Sequence, residues 1–421
     1  MFRKPNIAGL CSAAIASAAL LAFVPTASQA KDGINVMLFA GPFASYTQQH
    51  LAGFTKESGI KVNLTIIGGE VINNKTSTEL LGNNTSFDVI SIRGESIPFY
   101  GVKNVLEDLR PYLKDQNATP ASYKLETIAD SLMKYYRWDE EQLGLPWQAA
   151  TNVAFYRKDL VKAAGFDGPP RTAEDYMAYA KKMNTPPTTY GVGLMMQKSH
   201  NLMTDYYQWL LTFGGDIFDS NGKVILDSEE ARASLKYWLD LKPYAPPAVT
   251  NWAYERLTTA LAQGNVAMAI QWTDAAPFMF DPKGSKVADT IGFALAPVAK
   301  RPVAIVGGWG LSMPKISKSK QEAYAFIKWA TGPVMARGMA ELGGTPSRND
   351  LLADKALSAK YPWFTAQAAA AEVAVARPRM VTWPAVSDSL ETILAQAATG
   401  ALTVDEAVKR MAEQATALTA Q

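Results

Sequence analysis

Cysteine is almost absent: Cys11 is the one copy in 421 residues, and it falls in an N-terminal stretch with the marks of a secretory signal peptide. Arg3 and Lys4 give a positive start, Ile7 to Val24 an apolar stretch, and Ala27-Ser28-Gln29-Ala30 a small-residue cleavage site. The stretch is short, diluted by Ser and Gly, and ends in Pro25, which argues against a membrane anchor. Bulky Leu10 before Cys11 argues against a lipidated cysteine. Residues 1–30 are therefore expected to be removed. The remaining chain has no cysteine, so it must be held by its hydrophobic core and not by disulfides.

Histidine is nearly as scarce. His50 and His200 lie far apart, and without cysteine no metal-ligand spacing arises. Excess charge is missing too. Taking Arg3 and Lys4 from the 41 basic residues leaves 39 against 39 acidic ones, which excludes the clustered positive charge that nucleic acids and anionic membranes require. No apolar run long enough to span a bilayer follows residue 30, so a bacterial periplasm is the expected compartment. Neither a Gly-x-Ser-x-Gly elbow nor a phosphate loop occurs. No catalytic residue, metal or cofactor is expected.

What the chain does have is an alternation of short apolar runs with helix-like segments, at a length ample for two domains. Ile34 to Phe39, Val62 to Ile67 and Phe87 to Ile92 read as strands, with helices between them from about Tyr46 to Ser58 and around Leu80. That order predicts a parallel sheet whose ligands lie beyond the carboxyl ends of its strands. A second α/β unit begins at the strand Asn152 to Tyr156. Its helices are placed at Thr172 to Met183, Asp205 to Phe213 and Glu229 to Leu241, the last with capping chemistry at Asp227-Ser228-Glu229-Glu230. Val266 to Ile270, behind Gly264, reads as a buried strand running into Gln271-Trp272-Thr273-Asp274.

Several segments resemble the extracellular solute-binding proteins of ABC importers, in the carbohydrate-binding group that includes maltose-binding protein. They are Leu145-Pro146-Trp147-Gln148, Phe155 to Leu160, Gly264 to Met268, Gly307-Gly308-Trp309-Gly310-Leu311, Arg377-Pro378 and Thr399 to Ala407. Their order spans nearly the whole chain after residue 30. The resemblance implies a two-lobed α/β fold, each lobe a mainly parallel sheet flanked by helices, with the cleft between lobes and several hinge crossovers. One lobe would hold 31–145 and 303–343, the other 146–302 and 344–421. It also implies a monomeric receptor that closes over a small molecule and hands it to ABC permease subunits.

Within that frame Trp272 is the leading ligand residue. An indole offers a flat apolar face to the C–H side of a sugar, while Gln271, Thr273 and Asp274 could bond hydroxyls; a buried indole in the core is the alternative. Gly308 and Trp309 form a second glycine-plus-indole site, and Trp383 a third aromatic. Gln148 stands at the first hinge crossing, whereas Trp147 reads as a structural linker residue. The polar candidates are Phe43 and Ser45 after the first strand, Arg93 and Glu95 after the third, and His200, Asn201 and Asp205 at a helix start. Arginine with a carboxylate suits vicinal diols, although such a pair is also what a solvated turn looks like. Arg348 and Arg379 could meet an anionic substituent.

A sugar or polyol is the expected ligand. The same receptor could instead take an anionic sugar derivative, a glycerol phosphate diester, an amine or a peptide. A secreted glycosidase would need two carboxylates at a defined separation, and no spacing singles out such a pair.

Overall fold

In a computed structural model of the chain, residues 33–69, 71–82 and 84–420 are described. The expected signal segment and its cleavage site lie outside them.

β1 (Ile34–Phe39) buries Ile34, Val36, Met37 and Leu38 and pairs in parallel with β2 (Val62–Ile67) and β3 (Val89–Arg93). Parallel neighbours need crossovers, here the helices Pro42–Ser58 and Val71–Leu81. The first of these starts a turn before Tyr46, because the fixed φ of Pro42 is preorganised for a helix start. It ends at Gly59, whose φ of 73° caps the helix in the left-handed conformation.

A small hairpin of β4 (Arg137–Trp138) and β5 (Glu141–Gln142) leads into β6 (Leu145–Arg157), which is buried from Leu145 to Phe155. β6 therefore begins seven residues before the strand read from sequence at Asn152. It pairs antiparallel with β7 (Met268–Trp272), β8 (Ile291–Leu295) and β9 (Ala304–Ser312). β9 also runs antiparallel to β3 and parallel to β10 (Ala374–Ala376). The path β2-β1-β3-β9-β6-β7, with β8 and β10 attached, makes one eight-stranded sheet. Pairing is parallel around β1 and antiparallel where β6 and β9 return, with parallel bridges at Tyr190–Val266 and Gly193–Ala269. Helix Glu229–Leu241 starts as read, with Ser228 Oγ accepting the Ala231 N–H at 3.2 Å.

Two hydrophobic cores share this sheet. One gathers residues between Ile34 and Trp147 and between Trp309 and Met339, and the other residues between Ala150 and Ile305, Ala336, Ala340 and residues between Leu351 and Ala415. The chain changes core on β6 between Trp147 and Ala150, and on β9 between Ile305 and Trp309. These two stretches lie side by side, with Ala149 opposite Gly308 and Ala150 opposite Gly307. They approach so closely that a Cβ on Gly308, at φ 152°, would sit 2.3 Å from the Gln148 carbonyl oxygen. No other residue type fits there.

Candidate functional site

The strand ends around this crossing open on a cavity of about 520 Å³, part of it continuous with solvent. From the first core come Phe39 at the end of β1, Gly69 after β2 and Arg93 at the end of β3. β6 supplies Gln148 and Ala150, two residues apart and so on one face of the strand. β9 supplies Gly308 and Trp309, and the end of β7 supplies Trp272 and, two residues on, Asp274. Two helix starts face the same space, His200 and Asn201 on His200–Thr212 and Tyr254 and Glu255 on Tyr254–Ala262. Arg377, just after β10, completes the wall.

The two indoles are held by different means. Trp309 stacks on Phe39 with ring centroids 4.3 Å apart and planes 9° from parallel, and the Arg93 guanidinium lies 6.0 Å from its centroid. Trp272 lies on the crossing itself: Gly307 has no side chain to push it away, and the Arg377 guanidinium stands 5.5 Å from its ring. Both arrangements keep a flat apolar face at the cavity with a cation beside it.

Glu95 ties the arginines together. Its Oε1 pairs with Arg377 at 2.9 Å and with Arg93 Nε at 3.4 Å, and Tyr135 donates its hydroxyl to Oε2 at 2.9 Å. Burial acts to raise this carboxyl, but the charges of Arg377 and Arg93 oppose it and leave the pKa below the ordinary value. Glu95 is thus an anion that joins a residue of the first core's β3 side to the segment following β10. At the other side of the cavity Asp274 accepts the Tyr254 hydroxyl at 3.0 Å and the Gln148 amide at 3.4 Å. Burial pushes its pKa up to about 6, against the pull of those two donors.

The structure brings Arg93, Gln148, His200, Asn201, Trp272, Asp274, Gly308 and Trp309 to one cavity, as the sequence reading grouped them. Glu95 stands one layer behind the wall. Trp383 is buried and lines an adjoining cavity of about 730 Å³ that shares Arg93, His200 and Arg377 with the first.

The remaining candidates are corrected. Phe43 is buried edge-on against Trp147, so both are core residues, and Ser45 is exposed on its helix away from the cavity. Asp205 is sealed in the second core, where it accepts the Met195 N–H at 3.1 Å and the Trp238 indole N–H at 3.0 Å. Arg348 is fully buried, donating to the carbonyls of Thr331 and Lys124 and to Thr127 Oγ1. Arg379 donates to the Arg137 carbonyl and lies over Tyr135. Gln271 and Thr273, beside Trp272, are fully buried and bonded into the scaffold.

Phe39, Gly69, Ala150, Tyr254, Glu255 and Arg377 line the cavity without having been singled out as ligand residues. Arg377 had a signal, the Arg-Pro step quoted for the resemblance. The others sit at strand or helix ends with no local pattern to mark them.

Comparison with known proteins agrees with this architecture. Residues 40–336 match the family model described as bacterial extracellular solute-binding protein. A probable amino-acid ABC transporter periplasmic-binding protein of Sinorhizobium fredii is 26% identical over 73% of this chain and 71% of its own length. The erythritol/L-threitol-binding protein of Mycolicibacterium smegmatis is 27% identical over 71% of this chain and 66% of its own. A solute-binding protein of Agrobacterium radiobacter, solved in complex with ribitol, superposes with a TM-score of 0.85 at 26% identity, over 92% of this chain and 99% of that one. The chain belongs to the bacterial extracellular solute-binding protein family.

Proposed function

We propose that this family member is the periplasmic substrate-binding component of an ABC importer, and that it captures a polyol or sugar between two closing lobes and delivers it to a membrane permease. The observation that carries the reading is the cavity itself. Two indoles, Trp272 and Trp309, share its wall with a polar set of Gln148, Asn201, Asp274, Arg93 and Arg377. A polyhydroxylated ligand is amphipathic in the same way, with C–H groups for the rings and hydroxyls for the polar groups. The polyols named for two of the relatives support the same class.

The lobes are residues 31–145 with 303–343 and residues 146–302 with 344–421, exported after removal of 1–30 and acting as a monomer without chemical conversion of the ligand. The division into two cores supports a two-lobed arrangement, with the changeover on β9 falling between Ile305 and Trp309, a few residues after 303. Closure needs only a few residues to change torsion, and the β6–β9 crossing is where the chain passes between cores. The Glu95–Arg377 pair then joins the lobes directly behind the ligand.

An amino acid is the second reading, raised by the name of the Sinorhizobium relative. A thermal-shift screen of the purified protein against polyols, mono- and disaccharides and amino acids separates the two. A ligand bound only by the native state at a hundredfold excess over its Kd adds ~2.7 kcal/mol. Stabilisation by polyols or sugars supports the proposal, and stabilisation by amino acids alone replaces it.

A further inference from the structure

We propose that the ligand is a polyhydroxy acid, a sugar or polyol carrying a carboxylate, and that the carboxylate is bound at the Arg93–Arg377 wall. This rests on the carbohydrate-receptor reading and narrows it.

The inference starts from the charge around Glu95. Two guanidiniums line the cavity, and one buried carboxylate stands between them. That carboxylate is itself shared three ways, since Tyr135 also donates to it. Arg377 has the closer claim at 2.9 Å, whereas Arg93 meets Glu95 only at 3.4 Å. Arg93 Nη1 is buried and has no hydrogen-bond partner among the described residues. A guanidinium presents five donors in a rigid planar fork matched to a carboxylate, and leaving a charged donor buried without a partner is costly. Arg93 thus keeps a donor that Glu95 does not use.

The cavity's own carboxylates do not take up the free Arg93 donor. Asp274 is engaged by Tyr254 and Gln148, and Glu255 reaches instead to the loop after β2, where a Cβ on Gly69 would meet its Oε1 at 3.7 Å. Space is available at the arginines as well, because an adjoining pocket, part of it open to solvent, meets Arg93, His200 and Arg377 from the other side, where Glu95, Asp388 and Glu391 also line it. Arg93 lines both cavities and a third of about 560 Å³ beside Trp309. A neutral hydroxyl would use one or two of the donors; a carboxylate would use the fork.

The test compares matched ligands on the purified protein by calorimetry: mannitol with mannonate, ribitol with ribonate, and galactose with galacturonate. In at least one pair the acid is expected to bind about tenfold tighter or more, equivalent to ~1.4 kcal/mol, with an advantage that shrinks as salt is added. Arg93→Met is expected to cost the acid member about tenfold more affinity than it costs its neutral partner, and Arg93→Lys to restore part of that difference. Equal or tighter binding of every neutral member overturns the proposal and leaves the carbohydrate receptor standing. If no member of any pair binds, both readings fall. Should Arg93→Met not fold, the comparison within pairs on the unmutated protein decides alone.

Discussion

Gly307 and Trp272 make a contact that only a glycine permits: a Cβ on Gly307 would lie 2.8 Å from Trp272 Cη2 and 3.0 Å from Cζ3. The glycine belongs to β9 where the chain changes core, and the indole comes from the end of β7. A cavity-lining ring is thereby seated where the chain changes core. Movement of one strand against the other must be felt at the ring.

That seating can be measured. Gly307→Ala forces the ring or the strand to give way, and overpacking of this kind costs ~1–3 kcal/mol. In a Trp272→Ala background the obstacle is gone, so the same change is expected to cost much less. Urea denaturation of the four proteins gives the coupling. Equal costs in the two backgrounds would show that the indole is not what excludes the side chain.

The second indole depends on its neighbour in another way. Phe39 and Trp309 lie nearly parallel at 4.3 Å, and such pairs are worth ~0.5–1.5 kcal/mol beyond the area they bury. Phe39→Leu keeps an apolar side chain but removes the surface that fixes the Trp309 plane. Ligand affinity is expected to fall by about threefold to tenfold, read by calorimetry with any polyol or sugar that scores in the thermal screen. Unchanged affinity would mean that Trp309 is positioned from elsewhere.

The contrast among arginines shows what sequence could and could not supply. Arg93 follows an apolar run at a strand end, and ligands collect at strand ends in such sheets, so it was legible. Arg348 and Arg379 carry the same chemistry, but nothing local tells a guanidinium that satisfies backbone carbonyls from one that meets a ligand. Arg377 was quoted for its Arg-Pro step, yet its place beside Trp272 depends on a contact made across more than a hundred residues. The strands and helices were legible because their periodicity is local; β6 began early because both its faces are buried, and Pro146 hid the continuation. Asp205 illustrates the same limit on a helix. It lies one turn beyond Asn201, which lines the cavity, but the helix runs into the core, so one turn separates a site residue from a sealed one.

Arg348 gives a direct check on that distinction. Its guanidinium satisfies the Thr331 and Lys124 carbonyls and Thr127 Oγ1, all distant in sequence. Arg348→Met strands those acceptors, and each buried group left without a partner costs ~1–3 kcal/mol. The protein is expected to lose ~2–4 kcal/mol of unfolding free energy with ligand affinity within about twofold of the original. A large loss of affinity with little loss of stability would return Arg348 to the binding site.

Asp205 makes stability depend on pH in a direction opposite to most carboxylates. Burial raises its pKa from 3.8 to about 7 in the folded protein, with the Trp238 and Met195 donors opposing the shift. The folded state therefore holds the proton more tightly than the unfolded chain does. Between those two values the folded form binds more protons, so its stability falls as pH rises. The contribution is fully present below about pH 3.8 and lost as the pH passes through about 7. Other carboxyls, such as Glu95 with its lowered pKa, slope the opposite way, so the total curve does not isolate the effect. The difference between the protein and Asp205→Asn does, because asparagine keeps the shape and an acceptor oxygen but cannot ionise. Urea denaturation from pH 4 to pH 8 is expected to show Asp205→Asn gaining on the unmutated protein steadily as pH rises, with the gain levelling off above about pH 7. A difference independent of pH over this range would mean that the Trp238 and Met195 hydrogen bonds hold Asp205 ionised throughout, and that the second core tolerates a buried charge without proton uptake.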